Sequence, residues 1–341
     1  MQWRLILSDK EINLNKSIKI IINYLIGPVL FIWLTYNVVK QIQEQPNLQI
    51  YIQTIHDMLD VKGFVILLSV CCLMIIQWVI EAKKWQLLMK PVSDISLMKA
   101  AKAIFSGIAF SIATPNRVGE FAGRILHLPP DSRLQGTSFT FIGNLAQLIA
   151  TMVCGGFALF FFGDGNSRFF NSHIFRDVFL TLKIVLPFFV VLSFLIYFKL
   201  GIIFNKLFSF HILNKLKKKL ASLQYVPTNI LSRVLALSFL RFLIFILQYH
   251  LFFIFIGVSI DFFQVFVHLS VLFLLLAAVP TITFLELGVR WQFALILFGH
   301  VTANKLGVSI TITAVWFINL IFPALVGAFT SFSFNSRKMR S

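Results

Sequence analysis

Six long apolar runs constrain this chain more than any other feature of its sequence. Each has enough residues to cross roughly 30 Å of hydrocarbon as an α-helix, and they lie at about 18–39, 63–88, 137–162, 178–199, 231–257 and 307–332. Only 13% of the residues are charged, compared with about 25% in soluble domains. The sequence therefore predicts an all-α fold, a polytopic membrane helix bundle that forms one integral membrane domain, residues 1–341.

Lysine and arginine are concentrated in segments that lie between alternate apolar runs. Those segments are 1–17, 82–102, 199–219 and the residues after 332. Segment 82–102 carries Lys83 and Lys84. Segments 40–62 and 163–177 are mixed or acidic by comparison. Because positively charged loops stay in the cytoplasm, we expect both termini to be cytoplasmic and the protein to be multi-pass in the plasma (inner) membrane. The basic segment 202–222 is expected to lie on the inner leaflet.

Two further apolar regions, 98–129 and 264–300, are each split near the middle by a proline and polar residues. Their halves have about 16 residues or fewer, which is too short to cross the bilayer comfortably. With six full spans and both termini inside, each split region must return to the side from which it enters. The sequence thus predicts two re-entrant helix pairs, whose tips near Pro115 and Pro280 converge at mid-membrane from opposite faces.

The tip of the first split region is the stretch ATPNRVGEFAGR, residues 113–124. It combines a helix-breaking proline, two glycines, two arginines and a glutamate: Pro115, Gly119, Gly123, Arg117, Arg124 and Glu120. The proline ends the first limb, and the glycines allow unusual dihedrals or close helix contact. Arginine forks suit phosphate or carboxylate, and the free N–H groups that begin the second limb favour an anion. The glutamate can neutralise one arginine when no ligand is present.

The second split region has similar parts in VPTITFLELGVRWQ, residues 279–292, where Pro280 breaks the helix and Gly288 follows Glu286. Glu286 and Arg290 lie four residues apart on one helix face, and because isolated charges are expensive in lipid they should pair or face a cavity. Arg241, a third of the way into its span, is a further cavity candidate. The simpler alternatives are that Arg117 and Arg124 snorkel to the inner interface or that Glu286–Arg290 only locks two limbs together. Two similar clusters on converging elements favour a substrate site.

These two stretches carry a resemblance to a known family. TPNRVGEFAGR resembles the P-G-x-x-G-E-x-x-R element of the lysylphosphatidylglycerol synthase transmembrane-region family, also described as the flippase-like domain family. PTITFLELGVR is similar to that family's later P-x-x-x-G-G-x-G-V-R-E element. Departures are Asn116 in place of a glycine, Phe284 and Leu285 in place of the later glycines, and Trp291 in place of the final glutamate.

The resemblance covers about the whole chain and implies a membrane bundle with re-entrant helices that moves or handles lipid head groups between leaflets. Synthases of the family add a large soluble C-terminal catalytic domain. This chain ends about ten residues after its last predicted span, so we expect no synthase activity.

Three functions remain open from the sequence. The first is translocation of an anionic lipid or lipid-linked glycan, with Arg117, Glu120, Arg124, Glu286, Arg290 and Arg241 as the substrate site. The second is a membrane-embedded lipid transferase with Glu120 or Glu286 as general base. The third is a non-transporting accessory subunit that recruits a glycosyltransferase or a lipid-modifying enzyme through its basic segment.

The expected partners follow from what the sequence contains and lacks. It has no catalytic motif and no G-x-x-x-x-G-K-[ST] loop, so we expect no catalysis, no cofactor and no metal, and passive or ion-coupled transport. The expected partners are membrane lipids with anionic head groups. Although the net charge is +17, no basic soluble module is present, so nucleic acid is not expected.

Overall fold

The computed structural model describes residues 60–112, 114, 117–162, 173–207, 226–279 and 283–338, together with Gln49 and Gln53. These residues form nine α-helices: α1 Val61–Met89, α2 Leu97–Ile112, α3 Gly119–Ile125, α4 Arg133–Phe161, α5 His173–Leu207, α6 Thr228–Phe255, α7 Phe262–Ala278, α8 Thr283–Phe298 and α9 Lys305–Lys338. A short 3₁₀ turn, Pro130–Ser132, precedes α4, and the described residues contain no strand. The predicted all-α membrane helix bundle is confirmed.

Five of the described helices are long and apolar enough to cross a membrane. They are α1, α4 with its preceding turn, α5 over Leu180–Leu200, α6 and α9 over Lys305–Ala328. They coincide with five of the six predicted spans. The predicted span at 18–39 and most of the basic segment 202–222 lie outside the described residues.

Local sequence signals explain where two helices begin. Asp60 is the N-cap of α1, and its carboxylate accepts a hydrogen bond from the Gly63 amide at 2.7 Å. Asp261 caps α7 in the same way by accepting from the Phe263 amide at 2.9 Å. Each cap satisfies one of the amides that a helix start leaves without an intrahelical partner.

Both predicted split regions are broken helices. The first consists of α2 and α3, and the second of α7 and α8. With 16 and 17 residues, α2 and α7 are about 25 Å long, shorter than the hydrocarbon core. The breaks occur where the sequence places Pro115 and Pro280, although these two prolines lie outside the described residues. That the pairs enter and leave the bilayer on one side remains a prediction.

Close backbone contact holds α3 against α2. A Cβ atom on Gly123 would overlap the carbonyl oxygen of Ser106 and the backbone of Gly107. A Cβ atom on Gly119 would overlap the carbonyl of Phe110. The close contact at Gly119 and Gly123 fixes the direction in which the charged side chains of α3 point.

This contact makes Gly123→Ala a destabilising substitution. Because the added methyl group meets backbone atoms that cannot rotate away, we expect a loss of about 1–3 kcal/mol in the free energy of unfolding. Gly143→Ala in α4 is the matched control, since its Cβ would lie 3.5 Å from the Leu88 side chain, an ordinary contact distance. Thermal unfolding of both variants in detergent measures the difference, and equal midpoints would contradict the packing argument.

Among the described residues, the apolar core consists of two clusters of buried side chains. One contains Phe242, Tyr249 and Phe253 of α6, packed with residues of α4, α7, α8 and α9. The other contains Trp85 of α1 and Trp316 of α9, packed with residues of α2, α4 and α6. Phe242 from the first cluster and Trp316 from the second both line the cavity described below.

Candidate functional site

A cavity of about 460 Å³ lies inside the bundle. Every described helix except α5 contributes to its lining. Part of the wall is aromatic and includes Phe242, Phe245, Phe273 and Trp316. The remainder carries an unusual density of charge for the interior of an apolar helix bundle: Glu81, Arg117, Glu120, Arg124, Arg241, Glu286 and Arg290.

The first group of charges, which we call the Glu81 cluster, comprises Glu81, Lys84, Glu120, Arg124 and Arg241. Glu81 is buried in α1 and accepts from Lys84 at 3.0 Å and from Arg124 at 3.1 Å. Arg241 of α6 lies 3.6 Å from the same carboxylate. Arg124 also pairs with Glu120 one turn earlier in α3. One carboxylate thus joins three cations from three different helices.

The second group, the Glu286 cluster, comprises Arg117, Glu286 and Arg290. Nη2 of Arg117 donates to both carboxylate oxygens of Glu286, at 3.2 and 3.0 Å. Arg290 donates to the same carboxylate at 2.6 Å and to the Tyr249 hydroxyl at 3.3 Å, and its guanidinium stacks over Phe273. The Arg117–Glu286 pair joins the tip of the first broken helix to the start of α8, which belongs to the second.

The backbone at the first tip is strained. Arg117 has φ of 55° and is the one non-glycine residue with positive φ among the described residues. Such a conformation is costly for a residue with a side chain, and it persists where the surroundings require it. The Arg117 side chain is also 45% exposed, whereas the Arg124 side chain is 3% exposed. Arg117 is therefore the most accessible arginine of the two clusters.

The start of α3 was expected to offer free amides to an anion. The helix has only seven residues, and its first amide, that of Gly119, already donates to the Thr114 hydroxyl at 2.7 Å. One of the amides on which that prediction depends is therefore already used within the protein.

Amide side chains connect the charges to the surrounding helices. Gln147 of α4 accepts from Arg241 at 3.2 Å and from Lys84 at 3.5 Å. Deeper in the bundle, Gln248 accepts from both Gln77 and Asn319 at 2.8 Å. These bonds satisfy polar groups that would otherwise be costly in an apolar interior.

Several hydrogen-bonding atoms of the cavity lining are buried without a partner. The donors are Nε of Arg124, Arg241 and Arg290 and the indole nitrogens of Trp78 and Trp316. The single acceptor among these buried lining atoms of the described residues is Oδ1 of Asn319. Each of these atoms has almost no accessible surface, so it lies behind the cavity wall and does not face the cavity itself.

All six substrate-site residues predicted from the sequence line this one cavity: Arg117, Glu120, Arg124, Arg241, Glu286 and Arg290. The structure thereby brings the charged residues of the two tip motifs together with Arg241 of α6. That these residues bind substrate remains a prediction. Gly288, predicted as a structural break, is buried within α8 and does not interrupt it.

Glu81 was not predicted as a site residue, and the predicted position of Lys84 is wrong. Lys84 was expected in a cytoplasmic basic loop, but α1 continues to Met89 and the residue is 1% exposed. Its neighbour Lys83 is exposed, because successive helix positions differ in direction by about 100°. The signal that could have located the cluster is Glu81 itself, the one acidic residue within the apolar run 63–88, since an ionisable residue in a span marks a functional site by default.

The chain matches the family described as the lysylphosphatidylglycerol synthase TM region over residues 20–327. The match covers most of the chain, so the chain belongs to this family, as the two tip motifs indicated. Comparison with curated proteins and with solved structures gave no match.

Proposed function

We propose that this member of the lysylphosphatidylglycerol synthase TM region family binds an anionic lipid head group in the cavity and moves the lipid between leaflets. The observation that carries the proposal is the convergence of four guanidinium groups on one cavity inside a membrane bundle. Arginine is the side chain best suited to phosphate, because its planar fork donates two parallel hydrogen bonds.

A purely structural role explains these charges less well. Ion pairs that only lock helices together need as many anions as cations, since each unpaired charge in a membrane interior is expensive. The two clusters hold five cations but three carboxylates. An anionic ligand supplies the missing negative charge.

The carboxylates then serve as internal counter-ions of the empty site. Glu120 and Glu286 each hold an arginine that the head group would take over. Because Glu286 pairs with Arg117 across the two broken helices, a head group that displaces Glu286 also releases one tip from the other. This exchange couples ligand binding to opening of the site, as alternating access around a fixed midplane site requires.

The proposal is tested by lipid translocation in proteoliposomes that contain the purified protein. The wild type is expected to move head-group-labelled anionic lipid faster than protein-free vesicles do. Arg290→Gln should lower that rate about tenfold or more, because a hydrogen bond to a charged group contributes about 1.5–3 kcal/mol. Arg290 touches both Glu286 and Tyr249, so its loss also weakens the cluster.

The matched control is Arg233→Gln, which removes an arginine from an exposed position of α6 outside the cavity lining. It should translocate at the wild-type rate. Equal rates for both variants would contradict the assignment of transport to this cavity, and would favour the alternative of a non-transporting accessory subunit.

A further inference from the structure

Asn144 is a polar side chain near the middle of the span Pro130–Phe161, and it lines the cavity. Its amide makes no hydrogen bond in the part of the chain that the structure describes. Polar side chains inside a membrane span normally bond to a neighbouring helix, because hydrocarbon offers them no partner. The position of Asn144 is therefore not explained by helix packing.

The other amide side chains of the cavity lining are all bonded within the protein. Gln77 and Asn319 each donate to the side chain of Gln248 at 2.8 Å. Gln147 accepts from Arg241 at 3.2 Å. Among the amides of the described lining, Asn144 is the one whose donor and acceptor are both unused.

The free amide faces the same space as the charged side chains. Helix α4 contributes Asn144, Gln147, Leu148 and Thr151 to the lining, and these spacings of three, four and seven residues belong to one helix face. Asn144 is partly exposed on that face. It lies about 4.5 Å along the helix axis from Gln147, which contacts Arg241 of the Glu81 cluster. A ligand held by the arginines therefore has Asn144 beside it.

The chemistry of an amide indicates which part of a head group it binds. An amide both donates and accepts, and so does a hydroxyl group, whereas an ionised phosphate only accepts and an ammonium group only donates. The arginines already suit the phosphate. The lining holds four arginines and three glutamates, so an ammonium group would meet an excess of positive charge. A hydroxyl group next to the phosphate uses both halves of the amide and changes no charge.

We propose that Asn144 binds a hydroxyl group of the lipid head group, beside the phosphate, and so selects head groups that carry hydroxyls. This inference rests on the proposed function and adds a specificity residue to its site. The opposing explanation is that Asn144 is only hydrated by water in the cavity. In that case head-group hydroxyls would not change the affinity.

The test compares two soluble lipids that have the same charge and the same number of head-group carbons. Dihexanoyl phosphatidylglycerol carries two head-group hydroxyls, and dihexanoyl phosphatidylpropanol carries none. Binding to the full-length protein is measured by titration calorimetry in a polyoxyethylene detergent and a glycerol-free buffer, which avoids competing polyols. We expect phosphatidylglycerol to bind about fivefold more tightly, the effect of a hydrogen bond between uncharged groups.

Asn144→Leu removes the amide and keeps a side chain of similar size. Because the amide has no partner in the described structure, its removal leaves no other group unpaired, and the variant should fold. It should bind phosphatidylpropanol as the wild type does and bring the affinity ratio of the two lipids close to one. The matched control is Gln292→Leu, which removes an amide from an exposed position of α8 outside the lining and should keep the wild-type ratio.

The outcomes separate this inference from the proposed function. A preference for phosphatidylglycerol that disappears in Asn144→Leu and persists in Gln292→Leu supports the hydroxyl contact. Equal binding of both lipids to the wild type, or a preference that Asn144→Leu retains, overturns the contact but leaves an anionic lipid site. Binding of neither lipid to folded wild-type protein overturns the proposed function together with the inference.

Discussion

Glu81→Gln is expected to lower the free energy of unfolding by about 3–5 kcal/mol, the cost of leaving a buried charge without its partner. Glu81 is the one carboxylate that contacts Lys84, Arg124 and Arg241 together. Arg124 would still pair with Glu120, and Arg241 would still stack on Trp78. Lys84 would keep only the 3.5 Å bond to Gln147, so most of the loss arises there.

The double variant Glu81→Gln with Lys84→Met is the control for this prediction. It removes the stranded ammonium together with the carboxylate and replaces it with an apolar chain of similar length, so it should regain most of the lost stability. The Lys84→Met single variant should cost less than Glu81→Gln, because Glu81 keeps two other cations. Thermal unfolding in detergent measures all three proteins. A double variant no more stable than Glu81→Gln would show that the cluster does not depend on charge pairing.

Much of the architecture was predictable because a membrane imposes strong rules. Run length predicted the five spans that the described residues contain. The parity of six spans and basic loops predicted that both split regions turn back and that their charged tips lie close together. Arg117 and Glu286, 169 residues apart in sequence, do contact each other, while the return of each region to its own side of the membrane remains a prediction. The particular pairing was not predictable, since the rotation of each helix about its axis depends on packing and on contacts such as Gly123 against Ser106.

The Glu81 cluster escaped prediction for a different reason. Lysines at the end of an apolar run usually mark the cytoplasmic boundary, and Lys83 is exposed, as that rule expects. Lys84 faces the opposite direction and is buried because a carboxylate one turn earlier and two arginines from other helices surround it. A rule that counts the charges of a whole segment treats Lys83 and Lys84 alike. The helix geometry places the two side chains on different faces of α1.

Glu286→Gln is expected to abolish translocation while it tightens lipid binding. In the empty site Glu286 occupies both Arg117 and Arg290, and a head group must displace it. Without the competing charge, dihexanoyl phosphatidate should bind about tenfold more tightly, given about 1.5–3 kcal/mol for a charged hydrogen bond. The same loss removes the counter-ion that the arginines need when the ligand leaves, so release slows and the proteoliposome rate should fall to that of protein-free vesicles.

Substitutions at two residues in contact, Arg290 and Glu286, are expected to change lipid affinity in opposite directions. This difference distinguishes a transport site from an ion pair that only holds two helices together. Arg290→Gln should weaken binding and Glu286→Gln should strengthen it, although both break the same 2.6 Å ion pair and both lower the transport rate. If the pair only held the two broken helices together, both variants would lose stability and neither would change lipid affinity in the protein that remains folded. Weaker binding in Glu286→Gln would therefore contradict the role of this carboxylate as an internal substitute for the lipid phosphate. Tighter binding without transport would show that a site inside a bilayer needs its own anion in order to release a lipid.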